Sequence, residues 1–151
     1  MLANLFESFR GFALLSDKLI VPMLKFKFSK LVRDKIIDHQ VNSGAIPHYR
    51  PLSDKEHKQQ LVEKIIEEAK EITQAKQEER ASEIADVQQA LDDLVERYGL
   101  TKKDIINAQK AKLNKNGAFK KEVFIDYVEI DESNKWVEYY KKNSERYPEI
   151  K

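Results

Sequence analysis

Residues 53–98 read SDKEHKQQLVEKIIEEAKEITQAKQEERASEIADVQQALDDLVERY, and this stretch decides the fold. Leu61, Val62, Ile65, Ile66, Ala69, Ile72 and Thr73 recur at the three- and four-residue spacing of a helix that buries one stripe. Ile84, Val87, Leu91, Leu94, Val95 and Tyr98 do the same on the other side of a charged junction near Glu79–Ala81. Ser53 and Glu56 stand at capping-box spacing, so the first helix is expected from there to about Gln77. Gly99 falls where a helix places its C-terminal glycine. Two amphipathic helices joined by so few residues are expected to fold back on each other as antiparallel neighbours.

Working outward, Thr101 and Asp104 signal a further helix that carries Ile105, Ile106, Ala108 and Leu113 as far as Asn116 and Gly117. Upstream, Ser29 is read as the cap of a helix through Leu31, Val32, Ile36, Ile37 and Val41 that closes near Gly44, and 44–53 is a loop. Leu24, Phe26 and Phe28 alternate with lysines as a short strand does, and 123–128 alternates similarly, so the two segments are expected to pair. Leu2, Leu5, Phe6, Phe9, Phe12 and Ala13 follow a helical face, expected to pack on the domain or a partner subunit. Glu7, Arg10, Asp17 and Lys18 keep that stretch from being a membrane span. The tail from Ser133 through Trp136, Tyr139 and Tyr140 to Tyr147 reads as a short amphipathic helix and a frayed end. Its rings pack on the core or a partner, or stack a base. The fold class expected is all-α, an antiparallel helical bundle with minor short strands.

The chain's 151 residues suit one domain, and 41% hydrophobic residues are too many for a disordered chain. Lys+Arg 27 against Asp+Glu 26 leaves a net charge of +1, so no global field draws the protein to a nucleic acid polymer or an anionic membrane. The absence of cysteine excludes disulfide frameworks, thiolate zinc sites and cysteine nucleophiles, and suits the cytoplasm. His39, His48 and His57 have no metal-ligand spacing, and neither a Walker loop nor a GxGxxG is present.

The chemistry lies in Glu67-Glu68-Ala69-Lys70-Glu71 on the first long helix and Glu83-Ile84-Ala85-Asp86 on the second. At the α-helical repeat, Glu68 and Glu71 stand about 60° apart on one surface, as do Glu83 and Asp86, and each pair borders the apolar stripe. In an antiparallel hairpin four carboxylates converge, and a hard divalent cation, Mg²⁺ or Mn²⁺, relieves their repulsion while keeping waters for a substrate phosphate. The metal-free alternative is a solvated surface on which Lys64, Lys70 and Arg80 pair with the same acids. A triphosphate beside these acids needs cations, for which Lys30, Arg33, Lys35, Lys110, Lys112 and Lys115 are the candidates.

EEAKE followed by EIAD resembles the EExxE…ExxD signature of the all-alpha nucleoside triphosphate pyrophosphohydrolases, the MazG-like superfamily that includes dimeric dUTPases and phosphoribosyl-ATP pyrophosphohydrolases. Lys30 to Ile36, KLVRDKI, is similar to the opening of a bacterial and phage branch of predicted house-cleaning enzymes, and Lys112 to Phe119, KLNKNGAF, resembles that branch's K-x-x-x-R-G-G-F element. Asn116 and Ala118 stand where the branch has Arg and Gly, with Lys115 as a substitute cation.

The resemblance implies that Glu68, Glu71, Glu83 and Asp86 bind Mg²⁺ or Mn²⁺ and that Glu67, Glu68 and Glu71 form the catalytic group. Glu67 either serves a second metal or the attacking water, or is simply solvated. Lys30, Arg33, Asp34, Lys112 and Lys115 are expected to meet the substrate, with Asp34 contacting it or merely holding Arg33. The implied reaction cleaves a nucleoside triphosphate between its α and β phosphates, giving monophosphate and pyrophosphate, with house-cleaning of non-canonical nucleotides as its purpose. A homodimer or higher homo-oligomer is implied. On this reading 1–22 is an extension, 23–130 the pyrophosphohydrolase domain, and 131–151 a helix and tail on the same domain. Two alternatives are phosphoribosyl-ATP hydrolysis and a non-catalytic helical interaction module.

Overall fold

The computed structural model describes residues 22–150, together with the backbone of 13–15 and 18–20. Strands β1 (Ala13–Leu15) and β2 (Lys18–Ile20) pair antiparallel, with Leu14 opposite Leu19. The helices are α1 (Ile36–Asn42), α2 (Asp54–Gln74), α3 (Arg80–Arg97), α4 (Lys102–Asn116) and α5 (Val137–Lys142), an all-α architecture. They fall into two compact units, one ending at Lys102 and the other running over Lys103–Lys151.

The first unit is organised by α2 and α3. Ser53, in extended backbone, accepts a hydrogen bond from the Glu56 N–H through its hydroxyl, while the Glu56 carboxylate accepts from the Ser53 N–H at 2.9 Å. The capping box expected from the sequence thus starts α2. The helix ends when Ala75 turns to extended backbone, and the Lys76 N–H donates to the Glu79 side chain at 3.2 Å, closing the turn into α3. Antiparallel packing follows: Lys58, near the start of α2, lies over the Tyr98 ring at the end of α3 at 5.0 Å, whereas Glu71 and Glu83 meet at the opposite end. Gly99, at φ +69, carries the chain out of α3 in the left-handed conformation that glycine adopts without strain.

Several sequence expectations need correction here. Segments 24–28 and 123–128 form no strand, because an extended run needs a ladder partner and neither has one among the described residues. No helix starts at Ser29: its φ of +44 lies outside the extended backbone a helix cap requires, and α1 begins only at Ile36. The stripe of the hairpin is only partly covered. Leu61 and Ala90 are buried, and Ile65, Ile72, Val87, Leu94 and Val95 half-buried, but Val62, Ile66, Ile84 and Leu91 are exposed. Each helix of a hairpin has one neighbour, and one neighbour covers only part of a broad apolar face. The helix expected over 2–13 lies outside the described residues, apart from Ala13, whose backbone is in β1.

In the second unit α4 runs to Asn116 as expected, with no buried residue. The short helix foreseen in the tail is α5, where Trp136 meets Tyr139 edge-on at 5.7 Å and Tyr140 packs on Tyr147 at 5.1 Å.

Among the described residues, no helix is long and apolar enough to cross a membrane.

Candidate metal centre

The junction end of the α2–α3 hairpin gathers the acids that the sequence places on two helices. Glu68 is buried at 5% exposure, and one oxygen each from Glu68, Glu83 and Asp86 lie within 4.8 Å of one another. A divalent cation with oxygen ligands at about 2.0–2.1 Å holds adjacent ligands about 3 Å apart and opposing ones about 4.2 Å apart, so these side chains would draw together around one ion. Carboxylates on helices packed against each other could hold a metal ion that accepts oxygen ligands, with coordination left over for water or phosphate. Glu71 sits exposed on the rim, beside the half-buried Glu83. Burial, and then the neighbouring carboxylates Glu71, Glu68 and Asp86, push the Glu83 carboxyl above its ordinary range.

Three cations reach this cluster. Lys64 is one turn before Glu68 on α2, and its ammonium pairs with Glu68 and, at 3.2 Å, with Glu67. Burial pulls the Lys64 pKa down, but the hydrogen bonds to Glu68 and Glu67 raise it on balance, so it stays charged. Arg33 pairs with Asp86, and Lys30 with Glu67 at 3.3 Å. For Glu67, burial pushes the carboxyl up, but the bonds from Lys64 and Lys30 outweigh it and bring it below its ordinary value. With all acids ionised, Glu67, Glu68, Glu71, Glu83 and Asp86 set five negative charges against the three positive charges of Lys30, Arg33 and Lys64. The surplus equals the charge of one divalent ion.

The structure therefore brings Glu68, Glu83 and Asp86 together, sets Glu71 beside them, and leaves Glu67 facing Lys30 and Lys64 instead of the cluster. Arg33 and Lys30 reach the site from 29–35, a segment without helix, and Asp34 is exposed in the turn before α1. Lys112 and Lys115 are exposed on α4 in the second unit. Lys64, expected from the sequence as a surface counter-ion, belongs to the centre, and its spacing of three to Glu67 and four to Glu68 is the signal for it.

Beside the cluster an open groove of about 610 Å³ runs between 29–31 and one face of α2, lined by Lys30, Lys64, Glu67, Lys70 and Glu71 among others. Its volume suits a small-molecule ligand, and its lysines suit an anionic one. Compared with family models, with curated proteins and with solved structures, the chain matches none.

Proposed function

We propose that the chain is a Mg²⁺-dependent nucleoside triphosphate pyrophosphohydrolase of the all-alpha, MazG-like kind, acting on non-canonical nucleotides. The observation that carries this reading is the gathering of Glu68, Glu83 and Asp86 by two helices, with Glu71 on the rim and a cation-lined groove alongside. Glu68, Glu83, Asp86 and Glu71 hold the ion, which when bound supplies charge neutralisation at the phosphates and acidifies a water. Glu71, exposed at the mouth, is placed to orient water, and Lys30, which lines the groove, and Arg33, from the same segment, are the cations assigned to a phosphate chain. Lys112 and Lys115 are assigned to the substrate by the KLNKNGAF resemblance alone.

The unit is proposed to work as a homodimer or higher homo-oligomer. Val62, Ile66, Ile84 and Leu91 remain exposed on the hairpin, and a second hairpin laid on them makes a four-helix layer of the kind that buries such faces. The non-catalytic alternative draws on a specific observation, since Lys64, Arg33 and Lys30 already pair with the acids without a metal. Pyrophosphate release from a panel of canonical and modified nucleoside triphosphates, in Mg²⁺ and in EDTA, separates the two. The proposal expects release in Mg²⁺ alone, lost in Glu68→Gln. Silence across the panel, with no stabilisation by Mg²⁺, favours the interaction module.

A further inference from the structure

The cations paired with the acidic centre come from two kinds of backbone. Lys64 is fixed on α2, whereas Arg33 and Lys30 belong to 29–35, which carries no helix or strand and joins the hairpin through Lys30 to Glu67 on α2 and Arg33 to Asp86 on α3. Asp86 is at once the partner of Arg33 and a member of the metal cluster, and Glu68 is at once the partner of Lys64 and a member of that cluster. An oxygen bound to a metal ion is a poorer acceptor for a neighbouring cation, and the ion repels that cation as well.

We propose that 29–35 is a strap released by metal: a divalent ion entering between Glu68, Glu83 and Asp86 displaces Arg33 from Asp86 and turns its guanidinium, with Lys30, toward the groove, where they bind a di- or triphosphate. The inference rests on the proposed metal-dependent reading and adds an order of events to it. The exchange passes along the ion pairs. Lys64, losing Glu68, is left with Glu67 at 3.2 Å, and there it competes with Lys30, which holds the same Glu67 oxygen at 3.3 Å. Two contacts of the strap thus weaken together. The Arg33 and Asp86 side chains keep 58% and 32% of their exposure, so water screens their attraction and the pair yields to a multidentate ion. Charge favours the exchange: with Arg33 and Lys30 set apart, the five acids and Lys64 carry a net charge of −4, and a divalent ion lowers it to −2, so the pull of the centre on the two cations falls by half.

The test uses the full chain, Mn²⁺ as the metal and inorganic pyrophosphate as the anion. Phenylglyoxal labelling of Arg33, followed by mass spectrometry of the wild type, is expected to rise on adding Mn²⁺ and to stay flat in Glu68→Gln. Arg33→Gln is expected to bind Mn²⁺ about threefold more tightly, because a competitor for Asp86 is gone. It is expected to bind pyrophosphate about tenfold more weakly once loaded. Arg50→Gln, which removes a cation paired with Glu56 roughly 18 Å along α2 from Glu68, is expected to change neither. Weaker Mn²⁺ binding in Arg33→Gln would show that Arg33 steadies Asp86 as a ligand and would overturn the strap, as would Arg33 labelling in the wild type that ignores bound Mn²⁺. No Mn²⁺ binding by the wild type would overturn the strap and the metal-dependent reading together, whereas binding without release of Arg33 overturns the strap alone.

Discussion

Lys64 makes the burial of Glu68 tolerable. A carboxylate at 5% exposure needs a partner, and the ammonium one turn away supplies it. Lys64→Met should therefore destabilise the metal-free protein by about 1–3 kcal/mol, the cost of leaving a buried polar group unpaired. Saturating Mg²⁺ should recover much of that loss by taking over the charge. Chemical denaturation in EDTA and in Mg²⁺ checks this, and a loss of equal size in both would show that Lys64 contributes packing alone. Glu68→Gln should behave oppositely, folding well in EDTA and gaining nothing from Mg²⁺. In the wild type, metal at about one hundred times its dissociation constant stabilises by about 2.7 kcal/mol.

At the scale of the element, α2 depends on how it begins. Ser53→Ala removes the hydroxyl that receives the Glu56 N–H, and thermal or urea unfolding should register a loss of about 1 kcal/mol. The Glu56 side of the box is sensitive to pH. Hydrogen bonds from the Ser53 N–H and hydroxyl, then from Arg50, hold its carboxyl down at about 2, below its ordinary value. A depressed carboxyl contributes stability that is complete above its unfolded pKa and is lost as pH falls toward the folded value. The stability difference between wild type and Glu56→Gln should accordingly be constant near neutrality and shrink from about pH 4.5 down toward pH 2. A difference that persists unchanged at pH 2.5 would contradict the assignment.

These two helices were also the most legible part of the chain. Ser53 and Glu56, the apolar spacing of 61–72 and 84–98, and Gly99 each encode a local rule, and α2, α3 and the turn between them obey all of these at once. Because the spacing of acids on a helix fixes their face, the convergence of Glu68, Glu83 and Asp86 was legible too. Residues 24–28 were not, since alternation shows only that a segment can be extended, and pairing depends on a partner far along the chain. The region from Ser29 to Lys35 was misread for a different reason. Its side chains Lys30 and Arg33 meet Glu67 and Asp86, contacts that span 37 and 53 residues and leave no local periodicity.

For the whole molecule, exposed apolar residues on the hairpin set the expectation of assembly. Replacing Ile84, which is 56% exposed and does not line the groove, by Glu removes apolar contact without disturbing a buried side chain. Sedimentation or light scattering should show the wild type as a dimer or larger assembly at micromolar concentration and Ile84→Glu shifted to monomer. An Ile84→Glu protein with unchanged mass would place the interface elsewhere. The acids that the hairpin brings together are put to the test by pyrophosphate release from a nucleoside triphosphate panel, in Mg²⁺ against EDTA with Glu68→Gln alongside. Release should depend on Mg²⁺ and vanish in EDTA and in Glu68→Gln. Release that survives in Glu68→Gln, or a wild type that neither turns over any triphosphate nor is stabilised by Mg²⁺, would contradict the metal-dependent reading.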